Sequence, residues 1–377
     1  MLKKYLYKIG ASVCSRIIPA NGAMRHKFMR ITLCLMLIAL CRPADAAGPG
    51  TTAANFLRIG AGARAAGMGE AYTGIADEVN SIYWNPAGMS LMKTKEASFM
   101  HAVWLEGINY QHFAYGHPVA KLGTFGIALD YLSMSPIDRT GIDTTGGLDA
   151  PVSTGETYSP ADTAFTIGYA KKINHISGGV NIKLINSRID EETATAFAVD
   201  VGGIYNFGKT LTLGLVIKNA GTQIKYRETS HPLPTDIKFG VGWKPLKDIL
   251  TVALDINKPL DNVAGVSAGL EYNYWFATDI RLVPRIGYKT GVEGLGETAG
   301  MSAGLGFVWS GFILDYAWTP FGQLNDTHRV SVSLKFGKAP ATISQKISPA
   351  QPSQPKQPSQ PKQPSTPRKT APKPAPK

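Results

Sequence analysis

Residues 328–336 read His-Arg-Val-Ser-Val-Ser-Leu-Lys-Phe, and apolar side chains occupy every even position from Val330 to Phe336. The odd positions from Arg329 onward are all polar. Successive side chains of a β-strand point to opposite faces, so this alternation separates an apolar face from a polar one. The stretch therefore predicts a strand whose one side meets an apolar medium.

The same alternation of apolar with small or polar residues recurs upstream, in windows of about ten residues separated by turn residues. An outer-membrane barrel needs many such strands and no long apolar run in the mature chain. We therefore predict an all-β fold, a transmembrane antiparallel β-barrel of about 14 strands within residues 95–337, preceded by an N-terminal hatch. A soluble β-sandwich also alternates, but the export signal and loop lengths described below disfavour it. The predicted strands are 95–104, 107–117, 121–133, 161–171, 175–187, 194–206, 210–219, 235–244, 248–257, 264–274, 277–289, 298–309, 311–319 and 327–336.

The lengths of the connections provide an independent test. The longest gaps, 134–160 and 220–234, follow the third and seventh predicted strands, and 290–297 and 320–326 follow other odd strands. Connections after even strands are short, as at 206–209. Bacterial barrels have long outer loops and short periplasmic turns, and an even strand count places both ends of the barrel in the periplasm. We expect both chain termini there.

The charge of the chain is concentrated at its two ends. The 377 residues carry a formal charge of +12, yet residues 48–337 hold 23 Lys/Arg and 26 Asp/Glu. A nearly neutral body is not a polyanion-binding surface, so nucleic acid is excluded as a partner.

Residues 1–46 have the features of a secretory signal peptide. A basic stretch beginning at Met24, the alternative start codon, precedes an apolar run at 31–41 and a small-x-small cleavage pattern at 44–46. The run is too short to span a bilayer permanently. Lipidation of Cys41 is disfavoured because a leucine stands where a small residue is expected. We predict export to the outer membrane of a Gram-negative-type bacterium.

All three cysteines precede the predicted cleavage, so disulfides and cysteine-bound metals are not expected in the exported protein. Residues 338–377 are rich in Pro, Gln, Lys and Ser and are predicted to form a disordered periplasmic tail. Its eight positive charges suit contact with peptidoglycan or inner-leaflet head groups. A solvated spacer is the alternative.

Residues 47–94 form the predicted hatch and contain the most specific motif of the chain. Residues 61–72 read AGARAAGMGEAY, residues 75–78 read IADE, and residues 84–88 read WNPAG. This pattern resembles the N-terminal signature of the PorV/PorQ family of outer-membrane proteins, which is similar in turn to FadL-type transporters of hydrophobic compounds. The resemblance implies a fourteen-stranded barrel with an N-terminal hatch and a role related to type IX secretion.

The motif also has a physical interpretation. Glycines allow close backbone packing and turns with positive φ, Arg64 is an internal charge that Asp77 or Glu78 could neutralise, and Asn85 before Pro86 favours an extended-to-turn transition. Two roles remain open, a purely structural lock and direct contact with a ligand. The candidate residues are Arg64, Gly67, Gly69, Asp77, Asn85, Pro86 and Gly88.

None of the enzymatic motifs that the sequence resembles has the surrounding residues that its chemistry requires. Residues 203–210 match the P-loop formula, but alternating leucines follow instead of the required helix, so we predict a tight turn. The histidines are scattered without metal-ligand spacing, and no nucleophile–base set can be assembled. We expect no enzyme, no cofactor and no metal site.

Three functions fit these features. The first is a barrel in contact with outer-membrane lipid that docks a secreted or surface protein through outer loops 134–160 and 220–234. The second is a FadL-like channel for passive uptake of hydrophobic small molecules. The third is a structural barrel tethered to the cell wall by its basic tail.

Overall fold

A computed structural model describes residues 48, 50–143, 150–292, 296 and 298–337. The predicted signal peptide (1–46) and the predicted tail (338–377) lie outside the described residues. In the described part of the chain, no helix is both long enough and apolar enough to cross a membrane.

Strands dominate the fold, and their bounds follow the predicted windows to within a few residues. The strands are β1 Lys95–Val103, β2 Asn109–Val119, β3 Gly123–Ser133, β4 Ile137–Asp143, β5 Ala150–Tyr158, β6 Ala161–Ile173, β7 Ile176–Ile189, β8 Glu192–Phe207, β9 Leu211–Gly221, β10 Ile224–Tyr226, β11 Thr229–His231, β12 Asp236–Leu246, β13 Leu250–Pro259, β14 Gly265–Tyr272, β15 Tyr274–Trp275, β16 Ile280–Lys289, β17 Met301–Trp309, β18 Phe312–Pro320 and β19 Asp326–Phe336.

The main sheet closes into an antiparallel barrel. Sequential strands pair with one another, and β1 pairs with β19 from Lys95↔Phe336 to Val103↔His328. Strands β14 and β15 share one position beside β16, so the wall has fourteen strand positions. The prediction of a fourteen-stranded antiparallel barrel is confirmed. The predicted strand 264–274 is interrupted at Asn273, between β14 and β15.

Two hairpins lie outside the main sheet. Strands β4 and β5 pair with each other between β3 and β6, and β10 pairs with β11 between β9 and β12. Both segments are predicted as loops from the sequence, so the hairpins are an addition to the predicted strands. Strands β4 and β5 lack the regular alternation of a barrel wall because most of their side chains are exposed. Strand β10 is too short to show an alternation, although its Ile224 is buried in the core.

The alternation of side chains divides the wall into an apolar outside and a polar inside. Met301, Leu305 and Trp309 of β17 are exposed, whereas Ser302 is buried in the lumen. In β19, Val330, Leu334 and Phe336 likewise face outward. The protein is an outer-membrane barrel whose outer face contacts lipid.

Short helices and turns fill the lumen ahead of β1. The α-helices are α1 Ala63–Gly67 and α2 Ser81–Trp84, and the 3₁₀-helices of this segment are Asn55–Arg58 and Pro86–Leu91. Their small side chains allow the backbone to approach the wall closely. The buried core lies between this segment, called the hatch below (described residues 50–94), and the inner face of the barrel.

The P-loop look-alike is a turn, as predicted. Strand β8 ends at Phe207 and β9 begins at Leu211, with Gly208 at a φ of 63° between them. No helix follows Lys209, so the backbone geometry that holds a phosphate is not formed there.

Candidate functional site

The hatch crosses the lumen from the outer end of the barrel to the inner end. Ala53 N donates to the carbonyl of Pro232 (3.0 Å), and Arg58 donates to both carboxylate oxygens of Asp261, which follows β13. Both partners lie in connections after odd barrel positions, hence on the outer side. The hatch then reaches Lys95, where β1 begins at the inner end.

This path corrects one expectation. The even strand count predicts both ends of the chain in the periplasm, but residues 50–59 lie at the outer end. The even number of strands determines only that the first strand begins, and the last strand ends, on the same side of the membrane. Residues 60–94 fold back within the lumen, because Arg64 contacts Glu271 near the inner end of β14 and Glu70 contacts Lys289 at the outer end of β16. The segment ends at the inner end, and the alternation of strand residues does not record this path.

Arg64 of α1 joins the hatch to the wall. Its Nε and Nη2 donate to Oε2 and Oε1 of Glu271 on β14, at 2.7 and 2.9 Å, and its Nη1 donates to Oδ1 of Asp77 at 2.7 Å. Glu78 Oε2 lies 3.7 Å from Nη1 and also accepts, through Oε1, the hydroxyl of Tyr72 at 2.9 Å. Both acids that the sequence offered as partners therefore lie beside Arg64.

The network continues along the inner face of the wall. Arg285 on β16 donates from Nε to Glu271 Oε2 (2.8 Å) and from Nη1 to Asp315 Oδ1 on β18 (2.7 Å). Charges thus alternate from Asp77 through Arg64, Glu271 and Arg285 to Asp315. Buried ions are tolerated in proteins where they are paired and hydrogen-bonded in this way.

The ionisation of hatch acids follows from their partners. Burial raises the pKa of Asp77, but the charges of Arg64 and Lys244 outweigh it and lower the pKa to about 2. Burial also raises the pKa of Glu70, and the ion pair with Lys289 on β16 (2.7 Å) lowers it below its ordinary value. Both carboxylates are therefore ionised at neutral pH, which keeps the hatch ion pairs formed.

Gly67 and Gly69 lie where the hatch backbone touches the wall. A Cβ atom on Gly67 would be 3.0 Å from Cα of Gly304, and one on Gly69, whose φ is 63°, would be 2.5 Å from the backbone nitrogen of Tyr288. On the opposite side of that contact, a Cβ on Gly287 would overlap the backbone of Gly69. Glycine is required at these positions because no side chain fits between the two backbones.

Asn85, Pro86 and Gly88 hold the last turn of the hatch. Asn85 is extended (φ −156°, ψ 103°), its side chain accepts from Ala87 N, and Pro86 occupies the first position of the following 3₁₀-helix. Asn85 Nδ2 also donates to the carbonyls of Thr73 (3.1 Å) and of Gly203 on β8 (3.2 Å). A Cβ on Gly88 would overlap the carbonyl of Ala76.

Wall cations surround the hatch aromatics Tyr83 and Trp84. Lys218 Nζ of β9 lies 3.6 Å from the Tyr83 ring centre, and Lys238 Nζ of β12 lies 5.1 Å from the Trp84 ring centre. Arg329 of β19 is fully buried, stacks 5.1 Å from the Trp104 ring centre, and has no hydrogen-bond acceptor among the described residues. Cation–π contacts therefore supplement the ion pairs between hatch and wall.

The outer end carries the two hairpins. Arg139 of β4 forms ion pairs with Glu156 of β5 (3.3 Å) and with Asp190 between β7 and β8 (2.5 Å), which fixes the hairpin against a neighbouring loop. Ile142 is 70% exposed and Val152 47% exposed. These apolar side chains lie beyond the barrel wall rather than on its lipid-facing surface.

Sequence reasoning missed the wall residues that complete the network. Glu271, Arg285 and Asp315 stand at inward positions of their strands, next to outward Leu270, Ile286 and Leu314. An acidic or basic residue at an inward position was the available signal. The strand alternation identified the lumen face, but it does not tell which strands stand opposite α1.

The comparisons with known proteins agree with this architecture. The sequence profile of a family described as Type IX secretion system protein PorV matches residues 44–263. No curated protein sequence matches the chain.

Several solved structures share the fold. The Pseudomonas putida toluene transporter TodX matches with a TM-score of 0.50 and 11% identity, over 73% of this chain and 96% of that chain. A TodX deltaS2 mutant, described as a monoaromatic hydrocarbon channel, gives a TM-score of 0.50 and 10% identity over 74% and 99%. A Pseudomonas aeruginosa FadL homologue gives 0.44 and 10% over 72% and 98%. The barrel thus shares its fold with the TodX structures, in agreement with the barrel architecture that the resemblance implied.

Proposed function

Because the chain belongs to the PorV family, whose profile is described as a type IX secretion system protein, we propose that it is a docking component for protein export at the outer membrane. Its partner is a secreted or surface protein, and its binding surface comprises outer segments 134–160 and 220–234. The role is one of binding rather than catalysis.

The hairpins above a plugged lumen are the observation that carries this proposal. A channel needs a path, whereas here the hatch is tied to β14 by the Arg64–Glu271 pair and packed backbone-to-backbone against the wall at Gly69 and Gly287. The chain instead extends two ordered hairpins on the outer side. Ile142 and Val152 expose apolar side chains on the two opposite faces of the β4–β5 hairpin, and the proposed partner would cover them.

The β4–β5 hairpin supplies the sharpest test. We expect the double substitution I142S/V152S to reduce recovery of type IX secretion components cross-linked to the protein in native membranes by at least tenfold. L122S, which alters an equally exposed leucine in the turn between β2 and β3 at the inner end, is the matched control. Equal recovery with both variants would refute docking through this hairpin.

Passive uptake of hydrophobic compounds is the second candidate, and one feature of the wall favours it. The pairing of β8 with β9 changes register between Val199 and Val201, as it does at a β-bulge. On the lumen side, however, Asp200 accepts from Asn219 N (2.8 Å) and pairs with Lys183 (2.8 Å), so polar groups fill the irregularity.

Uptake of labelled toluene by cells producing the protein separates the two candidates. Docking predicts no uptake above that of cells that do not produce the protein. Saturable uptake that persists in I142S/V152S would favour the channel.

A further inference from the structure

A cavity of about 370 Å³ lies at the inner end of the lumen. Thr94, just before β1, and Lys335, near the end of β19, both line it, which places it at the periplasmic mouth. The hatch network forms its deep wall through Arg64, Glu271 and Arg285. The cavity lies below the hatch, on the opposite side from the hairpins.

Most charges around the cavity are already paired. Arg64 and Arg285 together satisfy Glu271, Asp77 and Asp315 at distances of 2.7 to 2.9 Å. These groups form a closed set of ion pairs. None of them needs a ligand to complete its hydrogen bonding.

Glu96 of β1 lies outside this set, as does Arg281 of β16, whose Nε has no hydrogen-bond partner among the described residues. The Glu96 side chain is only 3% exposed, and its Oε1 likewise has no hydrogen-bond partner in the described part of the chain. The nearest cation is Lys335 Nζ, 3.9 Å from Oε2, which is beyond hydrogen-bond distance. Two other cations at the mouth, Lys93 and Arg281, form no ion pair with Glu96 in the described part of the chain. A buried carboxylate oxygen without a donor is costly, so this side chain is suited to receive one.

Apolar side chains provide the rest of the lining. Leu91 and Met92 of the hatch face the cavity together with Val283, Val308 and Ile313 of the wall. A ligand that fits has a charged donor head for Glu96 and an apolar stem for these residues. An ammonium group on an alkyl chain meets both requirements, since it offers three donors and a flexible methylene stem.

We propose that this cavity binds a primary alkylammonium group, with the Glu96 carboxylate as its counter-ion. The proposal concerns the periplasmic mouth and does not depend on docking at the outer hairpins. Two sources offer this chemistry. One is a free alkylamine; the other is a lysine of residues 338–377, which carry eight Lys/Arg and follow Gly337, two residues after the cavity-lining Lys335.

The direct test is calorimetric titration of the full-length protein in detergent with cadaverine. It uses wild type and a variant whose eight Lys/Arg in 338–377 are changed to Gln. We expect cadaverine to bind wild type, the tail variant or both. In whichever of the two proteins binds it, E96Q should weaken binding at least tenfold. D248N, which removes an exposed acid from the turn between β12 and β13 at the same end, should bind like its parent.

A cross-linking arm distinguishes the sources. Carbodiimide joins a carboxylate to an amine in contact with it, and mass spectrometry identifies the peptides. A cross-link from Glu96 to a lysine of 338–377, with cadaverine binding only after the tail is neutralised, identifies the tail as the occupant. Equal cadaverine binding in both proteins without that cross-link identifies a free amine.

Two outcomes would refute the proposed alkylammonium site. If cadaverine binds neither protein and no Glu96 cross-link forms, or if E96Q binds as its parent does, the site is refuted. E96D keeps the carboxylate and should retain measurable binding. It thereby separates loss of the counter-ion from a folding defect, which heat-modified gel migration reports independently.

Discussion

Arg64 in the hatch and Glu271 in the barrel wall form a bidentate ion pair, with Nε–Oε2 at 2.7 Å and Nη2–Oε1 at 2.9 Å, across 207 residues of sequence. Arg285 donates to the same Oε2 at 2.8 Å, so the carboxylate lies between two guanidinium groups. A planar fork matched to a carboxylate fixes orientation as well as distance. The position of the hatch is therefore set by the wall.

Removing this carboxylate's charge should loosen the hatch. We expect E271Q to lower the free energy of unfolding by about 3–5 kcal/mol, because it leaves buried cations without their partner. Denaturant unfolding in detergent measures this, and proteolysis within residues 60–94 should accelerate. K247Q, which breaks the exposed Lys247–Asp248 pair, should change neither quantity. Wild-type stability in E271Q would contradict a locking role.

A single methyl group between hatch and wall should have a comparable effect. A Cβ on Gly287 would overlap Gly69, so G287A must displace one backbone, and overpacking of this kind costs about 1–3 kcal/mol or more. G178A on β7 is the matched control, because a Cβ there meets no atom within 4 Å. Thermal unfolding should separate the two variants; equal midpoints would show that the hatch is not tightly seated.

Much of the barrel could be predicted because the facing of each wall residue follows from its position in its own strand. In β17 and β19 every second side chain faces lipid, so the alternation of Met301, Leu305 and Trp309 with small or polar residues marks both the strand and its faces. The β4–β5 hairpin could not be found in this way. Its strands have no buried face, so Ile142 and Val152 follow no alternation that lipid or a core imposes.

The site was predictable only on the hatch side. Arg64 and Asp77 lie 13 residues apart, and their opposite charges in a Gly/Ala-rich segment suggested the pair. Glu271 depends on which wall strand faces α1, and that depends on the hatch path from the outer end to the inner end. The close contact of Gly69 with Gly287 has the same origin, since it joins segments that no local pattern relates.

A charged side chain on the lipid-facing surface should destabilise the barrel most at mid-height of the wall. Ile182 lies in the middle of β7 and is 61% exposed on the outer surface. We expect I182R to destabilise the folded barrel in lipid by about 2–4 kcal/mol, and L246R, at the inner end of β12, by about 0–1 kcal/mol. Unfolding in phospholipid vesicles tests this difference. Equal costs would mean that the membrane does not centre on β7 near Ile182.

Asp77 makes the stability of the hatch depend on pH in the acid range. Burial raises its pKa, but Arg64 and Lys244 lower it from the ordinary value of 3.8 to about 2. A carboxyl group with a lowered pKa contributes stability above its unfolded pKa and loses that contribution as the pH falls through its folded pKa. Hatch stability should therefore decline between about pH 4 and pH 2. Because the side chain is about one-third exposed, solvent screening reduces the size of the effect but not its sign. In melting curves recorded across this range, D77N should flatten part of the decline and D248N should leave it unchanged; parallel wild-type and D77N curves would refute the assignment.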